Sequence, residues 1–348
     1  MQIRPATTED AQSWDDYLLR HPQGTLFHTC RWQRAVKQSF GHPQYDVVAV
    51  HSADNGQGPE KIVGVLPLTR IKSPLFGHYL VSAAFAEAGG ALADDVETEV
   101  ALVEHAKSLA QELACDYLEL KNRRPVAGLL TKDLYYNFSK KLLPELEDNL
   151  LAIPRKSRAA VRKGIKSGLV AEFGRGQLDV FYEVMEHSYH QLGTPIFPRR
   201  FFDSFLQQFG EDAEILVVRT AEGKPVAGVL GFYFRDRIMP YYAGSLAAYR
   251  QLCPNDFMYW ELLKRGWEKG FRVFDYGRSK ADTGSFSFKK HWGFEPTPLA
   301  YQYHLVKLDV LPNLSPANPK YARKIRVWQQ MPFFMTRILG PPLAKYLG

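Results

Sequence analysis

One order of elements occurs twice along this chain, and that repetition constrains the fold more than any single motif. Residues 45–50 (YDVVAV) and 61–70 (KIVGVLPLTR) are rich in Val, Ile and Leu and flank a DNGQG turn, which predicts adjacent antiparallel strands. Residues 96–113 carry apolar side chains at helical spacing through Val100, Val103, Ala106, Leu109 and Leu113, and lead into a short strand at 117–120. The order then returns: 214–218 (EILVV), a turn AEGKP, 226–234 (VAGVLGFYF), a helical run at 256–269 and a strand at 271–276 (FRVFDY). Laid side by side, KIVGVLPL resembles KPVAGVLGF, and ELACDYLELKN resembles EKGFRVFDYGR. That alignment sets Gly64 opposite Gly228 and Glu119 opposite Asp275. A repeat of this length predicts a duplicated domain, against the plainer reading that any two α/β units share such a pattern. Ahead of the first copy, Thr7 and Thr8 before Glu9 and Asp10 read as a capped helix start running through Trp14 and Leu18. Residues 29–40 read as a second amphipathic helix.

A chain of 348 residues suits two domains at about 100–200 residues each. A hydrophobic content of 45% is too high for a disordered chain. We place the domains at 1–149 and 150–311, followed by a Pro-rich, basic and aromatic tail at 312–348. Each domain is expected to be α/β of the α+β kind, a mixed, largely antiparallel sheet flanked by helices. The segment PNLSPANP at 312–319 cannot continue regular helix or sheet. Three distant cysteines without C-x-x-C spacing argue against a disulfide framework or a cysteine zinc site and predict reduced thiols in a cytoplasmic chain. The first residues lack the apolar core of a signal peptide, and no window offers the roughly 18 uncharged apolar residues of a spanning helix. A net charge of +7 is compatible with phosphate-bearing ligands, RNA or an anionic membrane face.

Three segments could carry chemistry. Residues 154–166 (PRKSRAAVRKGIK) hold six basic residues and no acid. As a helix they set Arg155, Arg158, Arg162 and Lys166 on one stripe, with Val161, Ile165 and Leu169 on the other side. A solvated face explains this, and so does contact with successive phosphates; the missing acids favour the second. Residues 241–259 end a strand near Tyr242, pass Arg250 and begin a helix around Pro254, with Asn255 or Asp256 as N-cap. The free N–H groups of such a start could receive an anion or a carbonyl oxygen. In 274–294, Asp275 ends a buried strand and is expected to orient an amine, or to pair with Arg278 or a neighbouring N–H. Aromatic residues around Lys289 suggest a shielded ammonium that meets an oxyanion, the alternative being a snorkelling surface lysine. His187 and His190 lack a third ligand, and neither a Walker sequence nor G-x-S-x-G occurs. In the tail, Arg323, Lys324, Arg326, Arg337 and Lys345 interleave with Trp328, Phe333, Phe334 and Leu339, which suits docking at a membrane surface or packing on the first domain.

Together these stretches resemble the FemAB family within the GNAT acyltransferase superfamily, and are particularly similar to the subgroup encoded with exosortase/PEP-CTERM exopolysaccharide systems. HTCRWQRAVKQSFG resembles the family's early aromatic–Trp–Lys helix, and PRKSRAAVRKGIKSGL its basic connecting helix. NDFMYWELLKRGWEKGFRVFDYGRS followed by FSFKKHWGFEP resembles its helix, its Asp–Tyr–Gly strand end and its Phe–Lys–x–x–aromatic–Gly turn. The resemblance implies two duplicated GNAT-like domains and transfer of an acyl or aminoacyl group to an amine. In peptidoglycan members the donor is aminoacyl-tRNA and the acceptor a cell-wall precursor peptide. By position it implies that Lys37 contacts acceptor phosphate and that Lys289 lies near the donor ester or its oxyanion. The usual acyl-CoA pyrophosphate loop is not evident after Tyr242, where the chain reads YRQLCPNDF, and this weakens acyl-CoA as donor.

The expectation is a FemAB-type N-acyltransferase that acts by direct attack in a ternary complex on an amine of a peptidoglycan or exopolysaccharide precursor. Lys289, Asp275 and Tyr242 are the candidate catalytic residues. Lys37, Trp32, Arg158, Arg162, Arg250, Asn255 and Arg278 are the candidate substrate-binding residues. No bound cofactor, no metal and no DNA partner are expected. The donor cosubstrate is charged tRNA or an acyl thioester on coenzyme A or an acyl carrier. The protein would be cytoplasmic, and peripheral at the inner face of the membrane where the tail docks. The alternatives are an acyl-CoA or acyl-carrier enzyme acting on an exopolysaccharide amino sugar, and an inactive binding or assembly protein.

Overall fold

The computed structural model describes residues 1–52, 60–74, 77–312 and 319–347. The DNGQG turn and most of the PNLSPANP segment lie outside the described residues. Contacts divide the chain into one unit of Met1–Tyr135, Pro298–Leu314 and Lys345–Gly348, and a second of Tyr136–Thr297 and Ser315–Ala344.

The first unit begins with β1 (Gln2–Pro5), α1 (Ala11–Arg20) and α2 (Cys30–Phe40), then β2 (Val47–Ser52), β3 (Glu60–Leu66), β4 (Leu68–Ser73), β5 (Gly77–Ser82) and β6 (Leu92–Ala93). It continues with α3 (Val96–Glu112), β7 (Tyr117–Asn122) and β8 (Leu130–Lys132). Thr29 caps α2 by accepting the Trp32 N–H, and left-handed Gly41 (φ 68°) ends it, as its sequence predicts. Helix α1 starts later than expected. The Asp10 carboxylate accepts the Thr7 N–H and hydroxyl and two Arg4 N–H groups, so the threonines belong to the preceding turn. The run 61–70, expected as one strand, is two. Pro67 lacks an N–H and divides it, leaving β3 in a sheet ordered β1-β2-β3-β6 and β4 in another ordered β4-β5-β7-β16-β8, where β16 is the late strand Ala300–Leu305.

The second unit contains β9 (Tyr135–Lys141), α4 (Leu146–Leu151), α5 (Arg155–Lys166), β10 (Val170–Phe173), α6 (Leu178–Leu192) and α7 (Arg199–Phe209). Next come β11 (Ala213–Arg219), β12 (Pro225–Phe234), β13 (Arg237–Ser245), α8 (Pro254–Glu268), β14 (Val273–Lys280), α9 (Gly284–His291) and β15 (Pro296–Pro298). The chain then returns to the first unit as β16 (Ala300–Leu305) and closes with α10 (Pro319–Gln330) and α11 (Phe333–Ala344). One sheet of seven strands, ordered β10-β11-β12-β13-β14-β9-β15, spans this unit. Its core gathers Val161, Leu216, Val229, Met258, Phe274 and Trp292.

These units shift the expected boundaries. Residues 136–149 join the second unit because β9 enters its sheet beside β14, and β16 returns to the first unit between β7 and β8. Residues 315–344 of the tail belong to the second unit, where α10 and α11 pack on α6, whereas the end of the tail packs on the first unit as expected, the Lys345 and Tyr346 carbonyls accepting from His42 Nε2 (2.8 Å) and the Tyr79 hydroxyl (3.2 Å).

The duplication is visible in matching irregularities. Val63 is the extra residue where β2 pairs β3, and Val226 where β11 pairs β12. Superposing the bulges sets Gly64 against Ala227, one residue from the expected match with Gly228. A one-residue slip exchanges the two faces of a strand. Gly64 accordingly lies under α3, where an added Cβ would come 2.9 Å from Leu102, whereas Gly228 lies under Phe181 of α6. The Glu119–Asp275 match holds. Parallel partners Tyr79–Tyr117 and Leu80–Leu118 correspond to Arg237–Val273 and Ile238–Phe274. Ala114 (φ 51°) and Gly270 (φ 90°) both make the preceding turn in the left-handed region.

Candidate functional site

Strands β13 and β14 open a wedge in the second unit. Among the described residues they pair only at Arg237–Val273 and Ile238–Phe274, although β13 runs on to Ser245 and β14 to Lys280. Beyond that point the two strands part, because a parallel ladder persists only while the strands stay in register. A bulge at Tyr241 turns β13, since Leu230 faces Tyr242 while Gly231 faces Pro240.

Asp275 lies at the vertex and is 1% exposed. One carboxylate oxygen accepts from Asn137 Nδ2 (3.1 Å) and the Gly277 N–H (3.1 Å), and the other from Arg237 (3.1 Å). The expected neighbouring N–H is therefore present, but the cation recorded on this carboxylate is Arg237 in place of the expected Arg278. Strand alternation sets Gly277 and Ser279 on the face of Asp275. The buried Ser279 hydroxyl has no hydrogen-bond partner there.

Lys289 extends from α9 to the end of β14 and is 8% exposed. Its ammonium donates to the carbonyls of Tyr276 (2.7 Å), Gly277 (2.9 Å) and Arg278 (3.0 Å). An ammonium has three N–H donors, so these bonds use its full capacity. Phe138 and Tyr276 present their rings at 5.5 and 5.8 Å. The shielding read from sequence is present, yet the charge holds main-chain carbonyls together. The geometry makes Lys289 a strut for the strand end, with no donor left over for an oxyanion.

The remaining second-unit candidates lie on β13, the turn after it, the start of α8, β14 and α5. The Tyr242 ring packs among Phe197, Phe201 and Phe202 at 5.4–5.8 Å, its body recessed. Arg250 is exposed on a 3-10 turn at Ala247–Leu252. Helix α8 begins earlier than expected: left-handed Cys253 occupies the cap position without a side-chain bond, and Pro254 opens the helix. Asn255 is then its second residue, and the third, Asp256, accepts from Trp292 Nε1 (2.9 Å). Burial raises the pKa of Asp256 in spite of that bond.

Helix α5 forms as predicted and packs on α8. Ser157, Val161 and Gly164 make its buried face, and an added Cβ on Gly164 would come 2.7 Å from Phe257 Cβ. Ile165, expected on the apolar side, is 47% exposed because this contact rotates it outward. Arg162 is exposed, whereas Arg158 is half-buried and donates to the Leu151 carbonyl (2.6 Å).

The first unit holds a separate cleft of about 320 Å³, lined by Cys30, Gln33, Arg34, Lys37, Gln44 and Asp46. Lys37 and Arg34 bring exposed cations to its wall. Gln33 is 3% exposed, and its Oε1 has no hydrogen-bond partner in the protein. Asp46 keeps some exposure, yet burial pushes it up to about 7, against the pull of the Leu68 N–H and Lys37. Trp32 does not join this cleft. It lies about 140° around α2 from Lys37 at 100° per residue, is fully buried, and donates to the Ala84 carbonyl (3.1 Å). Asp46 had a sequence signal, a carboxylate opening an apolar strand. Arg237 and Asn137 had none, because their partner is brought to them only by sheet register.

No group of three or more His, Cys, Asp or Glu among the described residues could hold a metal, and no helix among them is long and apolar enough to cross a membrane. Residues 153–290 match the family model of the acetyltransferase (GNAT) domain. No curated protein sequence matches the chain. The structure of FemX is similar at 17% identity, over 88% of this chain and 98% of that one, with a TM-score of 0.67. A tandem GNAT protein from the clavulanic acid biosynthesis pathway is similar at 14% identity over 89% and 99%, with a TM-score of 0.55. L-PGS from Bacillus licheniformis is similar at 14% over 97% and 98%, with a TM-score of 0.52. At these identities the likeness is one of fold. Residues 153–290, which contain the β13–β14 wedge, match the acetyltransferase (GNAT) domain model, within a chain that has the fold of tandem GNAT proteins.

Proposed function

We propose that the protein is an N-acyltransferase of the FemAB type that moves an aminoacyl or acyl group to an amine of a cell-envelope precursor. The observation that carries this reading is the wedge beyond Ile238 and Phe274, where β13 and β14 part inside the matched domain. The neutral amine attacks the ester or thioester carbonyl carbon, the carbonyl oxygen becomes an oxyanion, and collapse expels the alcohol or thiol. The amine proton passes to the leaving group through water or a carboxylate. Main-chain N–H groups of β13 meet the oxyanion, while Lys289 and Asp275 hold β14 in shape. Lys37 and Arg34 recognise an anionic part of the acceptor in the first-unit cleft, and Arg162 on α5 contacts donor phosphates.

A second reading has its own support. The start of α8 has no side-chain cap, and the Lys163 charge is felt at Cys253 beside it. A phosphate of coenzyme A suits that place, although the usual loop sequence is missing.

Binding of charged tRNA, acetyl-CoA and longer acyl-CoA to the purified protein at two salt concentrations separates these readings. Salt-steep binding of charged tRNA alone, flattened in Arg158→Ala/Arg162→Ala, is expected for the first. Thioester binding without tRNA selects the second. Binding of neither removes both.

A further inference from the structure

The excess positive charge of this protein is concentrated at one end. The last 30 residues hold six Lys or Arg and no Asp or Glu, so the other 318, with 38 basic and 37 acidic side chains, are nearly neutral. Helix α10 includes Arg323, Lys324 and Arg326, and Met331 and Pro332 join it to α11.

Both helices are fixed to α6. Gly193 at the end of α6 lies against Ile325, where an added Cβ would come within 3.0 Å of the Ile325 carbonyl, and Gln329 Nε2 donates to the Gln191 carbonyl (2.9 Å). The His187 ring stacks on Phe333 at 4.1 Å, and His190 bonds the Thr336 hydroxyl at 3.1 Å, so the two histidines serve this contact. Arg337 pairs with Glu186 at 2.9 Å.

Helix α11 is inverted relative to an ordinary surface helix. Its buried positions, Thr336, Gly340 and Ala344, recur every four residues and are all small, and Gly340 permits an approach in which an added Cβ would be 3.1 Å from the Ile196 nitrogen. Its large apolar residues face out: Phe334 is 64% exposed, Ile338 69%, Leu339 40% and Met335 37%. A water-facing helix puts such residues inside. Four together, on the helix that follows one with exposed Arg323 and Arg326, form a face that water does not explain.

We propose that the α10–α11 pair docks on an anionic lipid surface, with Phe334, Met335, Ile338 and Leu339 entering the acyl boundary and Arg323 and Arg326 meeting the headgroups. Charge complementarity selects this occupant: the segment carries six basic side chains and no acidic one to repel anionic lipid. A nucleic acid would use the cations but not the exposed Ile, Leu and Met. The proposal does not depend on the donor or acceptor reading, because it rests on a different face of the second unit.

The test is sedimentation of the full chain with vesicles of phosphatidylcholine alone and of phosphatidylcholine with about 30% phosphatidylglycerol. Wild type is expected to bind the anionic vesicles, to release them as salt rises, and to bind neutral vesicles weakly. Phe334→Ser/Ile338→Ser should lose about tenfold or more of the binding. Arg323→Ser/Arg326→Ser should lose about twentyfold on anionic vesicles and little on neutral ones. All four side chains are exposed, and an unchanged thermal melt confirms that the variants fold. Absence of wild-type binding to anionic vesicles overturns the proposal, as does undiminished binding by the apolar variant. A wild-type dimer in light scattering that Phe334→Ser/Ile338→Ser dissociates, with no vesicle binding, would assign the face to a second copy.

Discussion

The two units build the same start of a parallel ladder and finish it differently. In the first, β5 ends at Ser82, one residue past its last pairing with β7, and the chain leaves through left-handed Ala83 (φ 43°). In the second, β13 continues for seven residues past its pairing with β14. The vertex chemistry differs as well. Tyr79 and Tyr117 stack at 5.0 Å in the first unit, where the second places Arg237 and an ion pair to Asp275. A duplicated scaffold has thus closed one ladder with rings and kept the other open with charges. The acetyltransferase match falls on the copy that stays open.

Breaking this contrast begins with the backbone. By the matched bulges Leu230 occupies the place of Pro67, but there β12 pairs with Ile215 on one side and Tyr242 on the other. Leu230→Pro should cost about 3 kcal/mol or more, read by denaturant unfolding, while Pro67→Leu stays near neutral. A stable Leu230→Pro would show that the second sheet tolerates the division seen in the first. Lys289→Met leaves three carbonyls of β14 unanswered and should lower stability by about 2–3 kcal/mol in calorimetry. An unchanged melting temperature would remove the strut. Asp275→Asn should cost about 1–2 kcal/mol, with Arg237 partly in solvent, against about 0.5 kcal/mol or less for Glu119→Gln at the equivalent place. Equal effects would mean that the two vertices do the same work.

The smallest effect depends on pH. Asp46 has a folded pKa of about 7, above its usual value of 3.8, so folding favours its protonated form. That contribution is fully present below pH 4 and is lost as pH rises through 7. Asp46→Asn should therefore stabilise by about 1 kcal/mol at pH 8 and change little at pH 4, read as melting temperatures at the two pH values. Stabilisation at acid pH alone would reverse the assignment.

Much of the scaffold is legible along the chain because it depends on local pattern. The spacing of Val100, Val103, Ala106 and Leu109 gives α3, and Thr29 and Gly41 bracket α2. What escapes local reading is set across the sheet. The bulge at Val63 makes the proper match Gly64–Ala227, and a gap drawn to unite two glycines loses it. Lys289 was readable as buried and ringed by aromatics, but its three carbonyl partners follow from where β14 ends against α9. Arg237 lies 38 residues from Asp275, and only parallel register joins them. Trp32 is a candidate only through the resemblance of its segment to an aromatic–Trp–Lys helix, and the helical turn points it into the core, away from Lys37.

The route of β16 has a kinetic consequence. This strand pairs with β7 over six residues and with β8 beyond it, yet it is encoded after nearly all of the second unit. During synthesis, Met1–Tyr135 emerges with a gap between β7 and β8 that only residues 300–305 can fill. At about 5–20 residues per second the wait is roughly 10–30 s. The first part of the chain to be made therefore gains its β16 strand only after residues 136–297 have been synthesised, and until then the edges of β7 and β8 that flank it stay unfilled.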